Sequence, residues 1–146
     1  MDVESIYTEL IAEESRSTEH RRHLDAPTVV LKGRNPSCGD EISLELQLEG
    51  GFVTDAAFAG VGCAISQAST SLMIGLVKGQ TAEKAKDLAE TFLKMIKGEI
   101  SADDPVLEDL GDAAALQGVA QLPARVKCAV LGWHTMENLL SEAPGT

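Results

Sequence analysis

Ile42-Ser43-Leu44-Glu45-Leu46-Gln47-Leu48, then Gly50-Gly51, then Phe52-Val53-Thr54-Asp55-Ala56-Ala57-Phe58, is the run that decides the fold. Apolar and polar residues alternate with period two in the first segment, which predicts a strand with one face toward a core. The Gly-Gly pair is a hairpin signal, and the residues after it continue as a second strand. Upstream, Thr28-Val29-Val30-Leu31 is β-branched and apolar and predicts a strand of its own. Three consecutive strands with short links imply an antiparallel meander with one apolar face. Helices must cover that face, so the expected class is α+β, a small three-stranded antiparallel sheet with helices packed against it.

Helical periodicity flanks the strands on both sides. Residues 3–14 place Val3, Ile6, Tyr7, Leu10 and Ile11 at helical spacing. The polar stretch 15–27 reads as a loop, with His20 and His23 as solvated residues that lack a cysteine or carboxylate neighbour at ligand spacing. Gly60-Val61-Gly62-Cys63 ends the third strand and opens a helix over 64–78, whose inner stripe is expected at Ile65, Ala68, Leu72 and Leu76. Thr81 is a suitable N-cap for the next helix, and Ala85, Leu88, Phe92 and Met95 mark its buried face. From 98 to 121 the pattern weakens. Short helical pieces, one over 112–119, are expected there as an insertion packed on the surface. The final helix carries Val130, Trp133, Met136 and Leu140 at helical spacing, with His134 expected at the surface.

The length, 146 residues, suits a single domain with a core of its own, mostly aliphatic because aromatics are scarce. Net charge is −11, from 12 basic and 23 acidic residues, the wrong sign for a nucleic-acid binder or for an anionic membrane surface. No stretch is long and apolar enough for a membrane span, and Met1-Asp2-Val3-Glu4 lacks the features of a signal peptide. A cytoplasmic location is expected, where structural disulfides are disfavoured and three cysteines suit metal binding or thiol chemistry.

Those cysteines sit in three distinct contexts. Asn35-Pro36-Ser37-Cys38-Gly39-Asp40 places a thiol and a carboxylate two residues apart in a tight turn, where both can converge on one point. A soft sulfur donor beside a hard oxygen donor suits zinc, although buried, inert thiols would read the same way. Cys63 follows two glycines at a helix start, where unpaired N–H groups and the helix dipole favour a thiolate. Cys128 falls in the first turns of the last helix, flanked by basic Arg125 and Lys127, a setting that lowers a thiol pKa.

Taken together, Asn35-Pro36-Ser37-Cys38-Gly39-Asp40, Gly60-Val61-Gly62-Cys63-Ala64-Ile65-Ser66-Gln67-Ala68-Ser69 and Arg125-Val126-Lys127-Cys128-Ala129-Val130-Leu131 resemble the SufU/IscU proteins of iron–sulfur cluster assembly. The resemblance runs from about Tyr7 to Leu140, and it is nearer the SufU branch. The segment 98–119 resembles the SufU insertion. Lys127 stands where scaffold-type IscU proteins carry histidine, and Leu122-Pro123-Ala124-Arg125-Val126-Lys127 departs from their Leu-Pro-Pro-Val-Lys motif. The resemblance implies one SufU/IscU-like domain over 1–146, with a metal site at one end of the sheet. It implies zinc held by Cys38, Asp40, Cys63 and Cys128. Three thiolates and a carboxylate outweigh the charge of Zn²⁺, so on electrostatic grounds nearby Arg125 is expected as a partner of that negatively charged centre. It also implies a pyridoxal-phosphate-dependent, SufS-like cysteine desulfurase as sulfur donor and downstream iron–sulfur assembly proteins as acceptors. Four protein ligands make a closed zinc site, so transfer requires one to leave. Cys38 is the candidate, because it lies on a turn while Cys63 and Cys128 start packed helices. The resemblance adds that a histidine of the desulfurase can replace it at zinc, and that the freed Cys38 accepts the persulfide sulfur.

The leading expectation is therefore a zinc-dependent sulfurtransferase acting with a desulfurase. The alternative is a scaffold that binds a nascent iron–sulfur cluster and hands it on, with iron or the cluster as a transient ligand of the same thiolates. A third is a zinc domain that serves structure and protein contact alone.

Overall fold

The computed structural model of the chain describes residues 3–35, 39–101 and 103–142, and of 3–8 and 142 the backbone alone. Its elements are α1 (Val3–Arg16), β1 (Val29–Asn35), β2 (Asp40–Glu49), β3 (Phe52–Val61), α2 (Ala64–Val77), α3 (Ala82–Ile96), a 3₁₀ segment (Pro105–Gln121) and α4 (Pro123–Glu142). The strands form one antiparallel sheet in the order β1-β2-β3, the meander that period-two alternation predicts. Gly50 and Gly51 both take positive φ, 58° and 84°, as a two-residue hairpin loop of this twist requires. β1 runs on to Asn35, four residues further than its apolar run suggests.

Register decides what the sheet presents to the helices. Leu31, Leu44 and Phe58 stand in one cross-strand row, Val29, Leu46 and Ala56 in a second, and Gly33, Ile42 and Gly60 in a third. Ile42, Leu44 and Leu46 are fully buried. Asp40 precedes Ile42 by two residues, so the same alternation turns its carboxylate to this inner face, where it too is fully buried. The strand pattern thus delivers one charged group to the end of an apolar face.

α2 and α4 cover that face, and α1, α3 and the 3₁₀ segment pack on them in turn. α4 lies hard against β1: a Cβ on Gly33 would come within 2.0 Å of Thr135 Oγ1. Trp133 Nε1 donates to Ser69 Oγ at 2.9 Å, and the Ser69 hydroxyl donates to the Ala129 carbonyl at 2.6 Å. The Trp133 ring stacks on Phe92 with centroids 4.0 Å apart. One residue therefore locks α4 to both α2 and α3, a turn beyond Cys128. On α3, Thr81 caps as expected, its hydroxyl accepting from Lys84 N–H, and Ala85, Leu88, Phe92 and Met95 are all buried.

Three expectations are corrected. The stripe foreseen on α2 holds at Ile65 and Ala68, but Leu72 and Leu76 are half-buried while Met73, Ile74 and Val77 are enclosed. Ser66, Ser69, Thr70 and Ser71 are buried as well, because α2 is surrounded by other elements and has no single inner stripe. The segment after α3 is integral to the core rather than laid on the surface. Leu107, Leu110, Ala113, Leu116 and Val119 are buried at a spacing of three, the period of a 3₁₀ helix. His20 is buried, not solvated. The linker after α1 hydrogen-bonds the edge of β3, Phe58 N–H to His20 carbonyl at 3.0 Å, before crossing the sheet's outer face. There His23 Nδ1 lies 2.5 Å from Glu45 Oε2 and Leu24 N–H donates to Glu45 Oε1 at 2.8 Å. Burial pushes the Glu45 carboxyl up, yet these hydrogen bonds and the charge of His23 hold it below its ordinary value.

Candidate metal centre

Three elements converge at the end of the sheet where β2 begins and β3 stops. β2 supplies Asp40, the β3–α2 junction supplies Cys63, and α4 supplies Cys128. One carboxylate oxygen and the two sulfurs all lie within 4.8 Å of one another. Asp40 and Cys128 are fully buried, and Cys63 is half-buried. Tetrahedral zinc with thiolate and carboxylate ligands holds donor atoms about 3.3–3.8 Å apart, so a closure of roughly 1 Å would seat an ion. Two sulfurs and one oxygen are donors that zinc accepts together. The donor set and its spacing fit a metal.

Local backbone explains the convergence. Cys63 is the N-cap of α2 with extended φ and ψ of −71° and 167°, and its own N–H donates to Asp40 Oδ1 at 2.8 Å. A Cβ on Gly62 would lie 2.4 Å from that same oxygen and 2.5 Å from Ser66 Oγ. Only glycine lets the chain pass so close to the carboxylate and leave Cys63 beside it. Ser66 Oγ donates back to the Cys63 carbonyl at 3.1 Å, which pins the first turn of α2. Asn35, opposite Asp40 in register, is buried at the same end.

A cavity of about 440 Å³ opens beside Cys63, walled by Ile11, Ile65 and Leu122, with Arg125 at its side. The two basic residues expected around Cys128 therefore part company. Arg125 stands in the Cys63 cavity, while Lys127 lines a groove along β1. The cavity beside Cys63 is thus lined by one cation, Arg125, and by apolar side chains.

Residues 6–129 match the family described as the NifU-like N terminal domain. The chain belongs to that family. Among its relatives, the zinc-dependent sulfurtransferase SufU of Bacillus subtilis is 38% identical over 144 residues, covering 99% of this chain and 95% of that protein. The iron-sulfur cluster assembly scaffold protein IscU of Thermotoga maritima is 41% identical over 137 residues, covering 94% of each. A crystal structure of a putative SUF-system scaffold protein from Fervidobacterium islandicum superposes with a TM-score of 0.86 at 35% identity, covering 93% of this chain and 97% of that one. The SufU/IscU resemblance and the α+β architecture inferred from the sequence are therefore both correct.

Within this NifU-like domain the structure brings together Asp40, Cys63 and Cys128, with Arg125 along the approach to Cys63. Cys38 lies outside the described residues, between Asn35 and Asp40, which pair across the β1–β2 turn. His134 is exposed, as expected, and lies 3.7 Å from Glu137. Reading the sequence missed Gly62 and Ser66 as parts of the site. The Gly-x-Gly run before Cys63 held the first signal, since it marks close backbone approach; Ser66 offered no signal of its own.

Proposed function

We propose that this protein is a zinc-dependent sulfur-transfer protein that accepts persulfide sulfur from a pyridoxal-phosphate-dependent cysteine desulfurase for iron–sulfur cluster assembly. One observation carries the reading: two thiols and a buried carboxylate from three separate elements converge within 4.8 Å, with Cys128 buried and Cys63 half-buried. The printed name of the Bacillus relative, a zinc-dependent sulfurtransferase, supports it. In this reading Cys38, Asp40, Cys63 and Cys128 hold zinc, which when bound keeps thiols as thiolates near neutral pH.

The chain's own residues then divide the work. Cys63 and Cys128, anchored on α2 and α4, stay in place, while Cys38, in the segment that links β1 to β2, is the sulfur acceptor. Its thiolate attacks the outer sulfur of the donor's S–SH group. The new S–S bond forms at Cys38, the donor's S–S bond breaks, and the donor cysteine leaves as a thiolate. Sulfane sulfur moves without net oxidation or reduction. Arg125, beside the Cys63 cavity, offers positive charge to the incoming persulfide. Asp40, held by the Cys63 N–H, keeps the β2 end of the site closed.

A second reading is supported by the scaffold name of the Thermotoga relative: a protein on which a nascent cluster is assembled. Desulfurase turnover, zinc content and iron content after anaerobic reconstitution separate the two. Sulfur transfer predicts retained zinc, stimulated turnover and added sulfur on Cys38 by mass spectrometry. Stoichiometric iron with visible absorbance, and no stimulation, would replace it with the scaffold reading.

A further inference from the structure

A cavity of about 260 Å³ opens where α1, α2 and the 3₁₀ segment meet, and it shares no residue with the candidate metal centre. Glu14, in the last turn of α1, and Asp112 line it, and no lysine or arginine does. Neither acid is in an ion pair among the described residues. Ser71 Oγ donates to Glu14 Oε1 at 2.6 Å, which fixes that carboxylate against α2. One helical turn further along α2 is Gly75, and there the cavity meets His20. The His20 carbonyl accepts from Phe58 N–H at 3.0 Å, so the backbone of this residue is tied to β3. Its ring lies on Gly75, with Nε2 3.4 Å from the position a Cβ would take there. Only 9% of His20 is exposed, and no hydrogen bond reaches its imidazole among the described residues. An enclosed ring without a partner, on the wall of a cavity, is a group that a ligand would satisfy.

We propose that this cavity binds a small organic cation with N–H donors at two positions, a short diamine or a guanidine, held between Glu14 and His20. The sign follows from the lining: acidic residues without a balancing base, beside the C-terminal end of α1, attract cations and repel anions. The spacing argues against a single metal ion. Glu14 and His20 are anchored at Ser71 and Gly75, about 6 Å apart along the helix, whereas donors on one zinc ion lie less than about 4 Å apart. Among the described residues, only Asp40, Cys63 and Cys128 bring three such donors close enough for an ion. Two N–H donors several atoms apart bridge the longer distance, one to the Glu14 carboxylate and one to the His20 nitrogen. Leu76 and Leu110, which also line the cavity, offer apolar surface to the carbon body between them. The inference does not rest on the sulfur-transfer reading.

The test is calorimetric titration of the purified full chain, its metal retained, with 1,4-diaminobutane and with methylguanidine. At least one should bind saturably, with a dissociation constant of about 1 mM or below. Glu14→Gln keeps the size and the Ser71 hydrogen bond but removes the charge, and should weaken binding by about tenfold or more. Glu13→Gln, an equal charge change at an exposed position of α1, should leave it as it was. His20→Phe keeps a ring and removes its nitrogens, and should weaken binding severalfold. Gly75→Ala separates loss of the site from loss of the fold. Alanine favours a helix, so the melting temperature should hold or rise, yet its methyl group, 3.4 Å from Nε2, should also weaken binding. No saturable binding of either compound would overturn the proposal, as would wild-type affinity in Glu14→Gln. Equal affinity for butylammonium, with donors at one end only, would overturn it too. His20-dependent uptake of a second zinc or manganese ion per chain would replace it with a metal site, and tighter binding of inorganic phosphate would reverse its sign.

Discussion

Asp55 shows how a single residue ties the linker to the sheet. Arg22 reaches it at 2.6 Å and Lys78 at 3.3 Å, and the Ala56 N–H donates to it at 2.9 Å. Burial pushes its carboxyl up, but the hydrogen bonds from Ala56, Arg22 and Lys78 and the charge of Arg22 outweigh that and leave it below its ordinary value. A carboxyl depressed in the folded state contributes stability above its unfolded value, about 3.9, and loses it as pH falls through the lower folded value. Asp55→Asn should therefore cost about 1 kcal/mol or less at pH 7, the pair being partly exposed. The gap from wild type should shrink below about pH 4, as urea unfolding at both pH values would show. Gly132 makes a sharper prediction. A Cβ there would lie 2.4 Å from Thr70 Oγ1 and 3.1 Å from its Cβ, where α4 crosses α2. Gly132→Ala should cost about 1–3 kcal/mol by urea unfolding, with part recovered on adding Thr70→Ala. An unchanged midpoint for the single variant would mean that α4 can shift without cost.

At the scale of an element, the 3₁₀ segment is the most informative. Its buried residues recur every three positions, so a search for the 3.6 period finds only fragments. Gly111 kinks it with φ 53° and ψ −134°, a conformation that side chains other than glycine's rarely adopt. Gly111→Ala should destabilise by about 1–3 kcal/mol through backbone strain. Leu116→Ala, at a fully buried position, should cost about 2–5 kcal/mol. Both are read from chemical unfolding. A cost near zero for Leu116→Ala would return the segment to the status of a surface addition. α2 teaches a complementary lesson: its serines and threonines are buried because short side chains let α1 and α4 approach closely, not because they face water.

Across the whole molecule, the described members of the proposed ligand set come from the start of β2, a strand–helix junction and the last helix. A metal there would staple distant parts of the chain, so its binding free energy would appear as folding stability. Chelation should lower the melting temperature clearly, and an unchanged curve after verified metal removal would sink this claim. Cys63→Ser and Cys128→Ser should lose metal and local order. Cys38→Ser should stay folded with part of its zinc while losing all stimulation of a desulfurase. Persulfide accumulating on Cys128 instead would exchange the roles given to the two thiols.

The sequence by itself determined what depends on near neighbours in the chain. Alternation over 42–48, the Gly50-Gly51 turn and the Thr81 cap each follow from a few adjacent residues, and so the sheet and α3 were legible. The cysteine contexts were legible too, as short motifs, but only the tertiary structure decided what surrounds them. Asp40 enters the site because its parity matches that of Ile42 and Leu44. Arg125 and Lys127, two residues apart on one helix, end in different clefts because α4 packs between α2 and β1. His20 is buried because a linker folds back on β3, a contact between residues nearly forty positions apart. Such outcomes depend on which distant surfaces meet, and local periodicity carries no information about that.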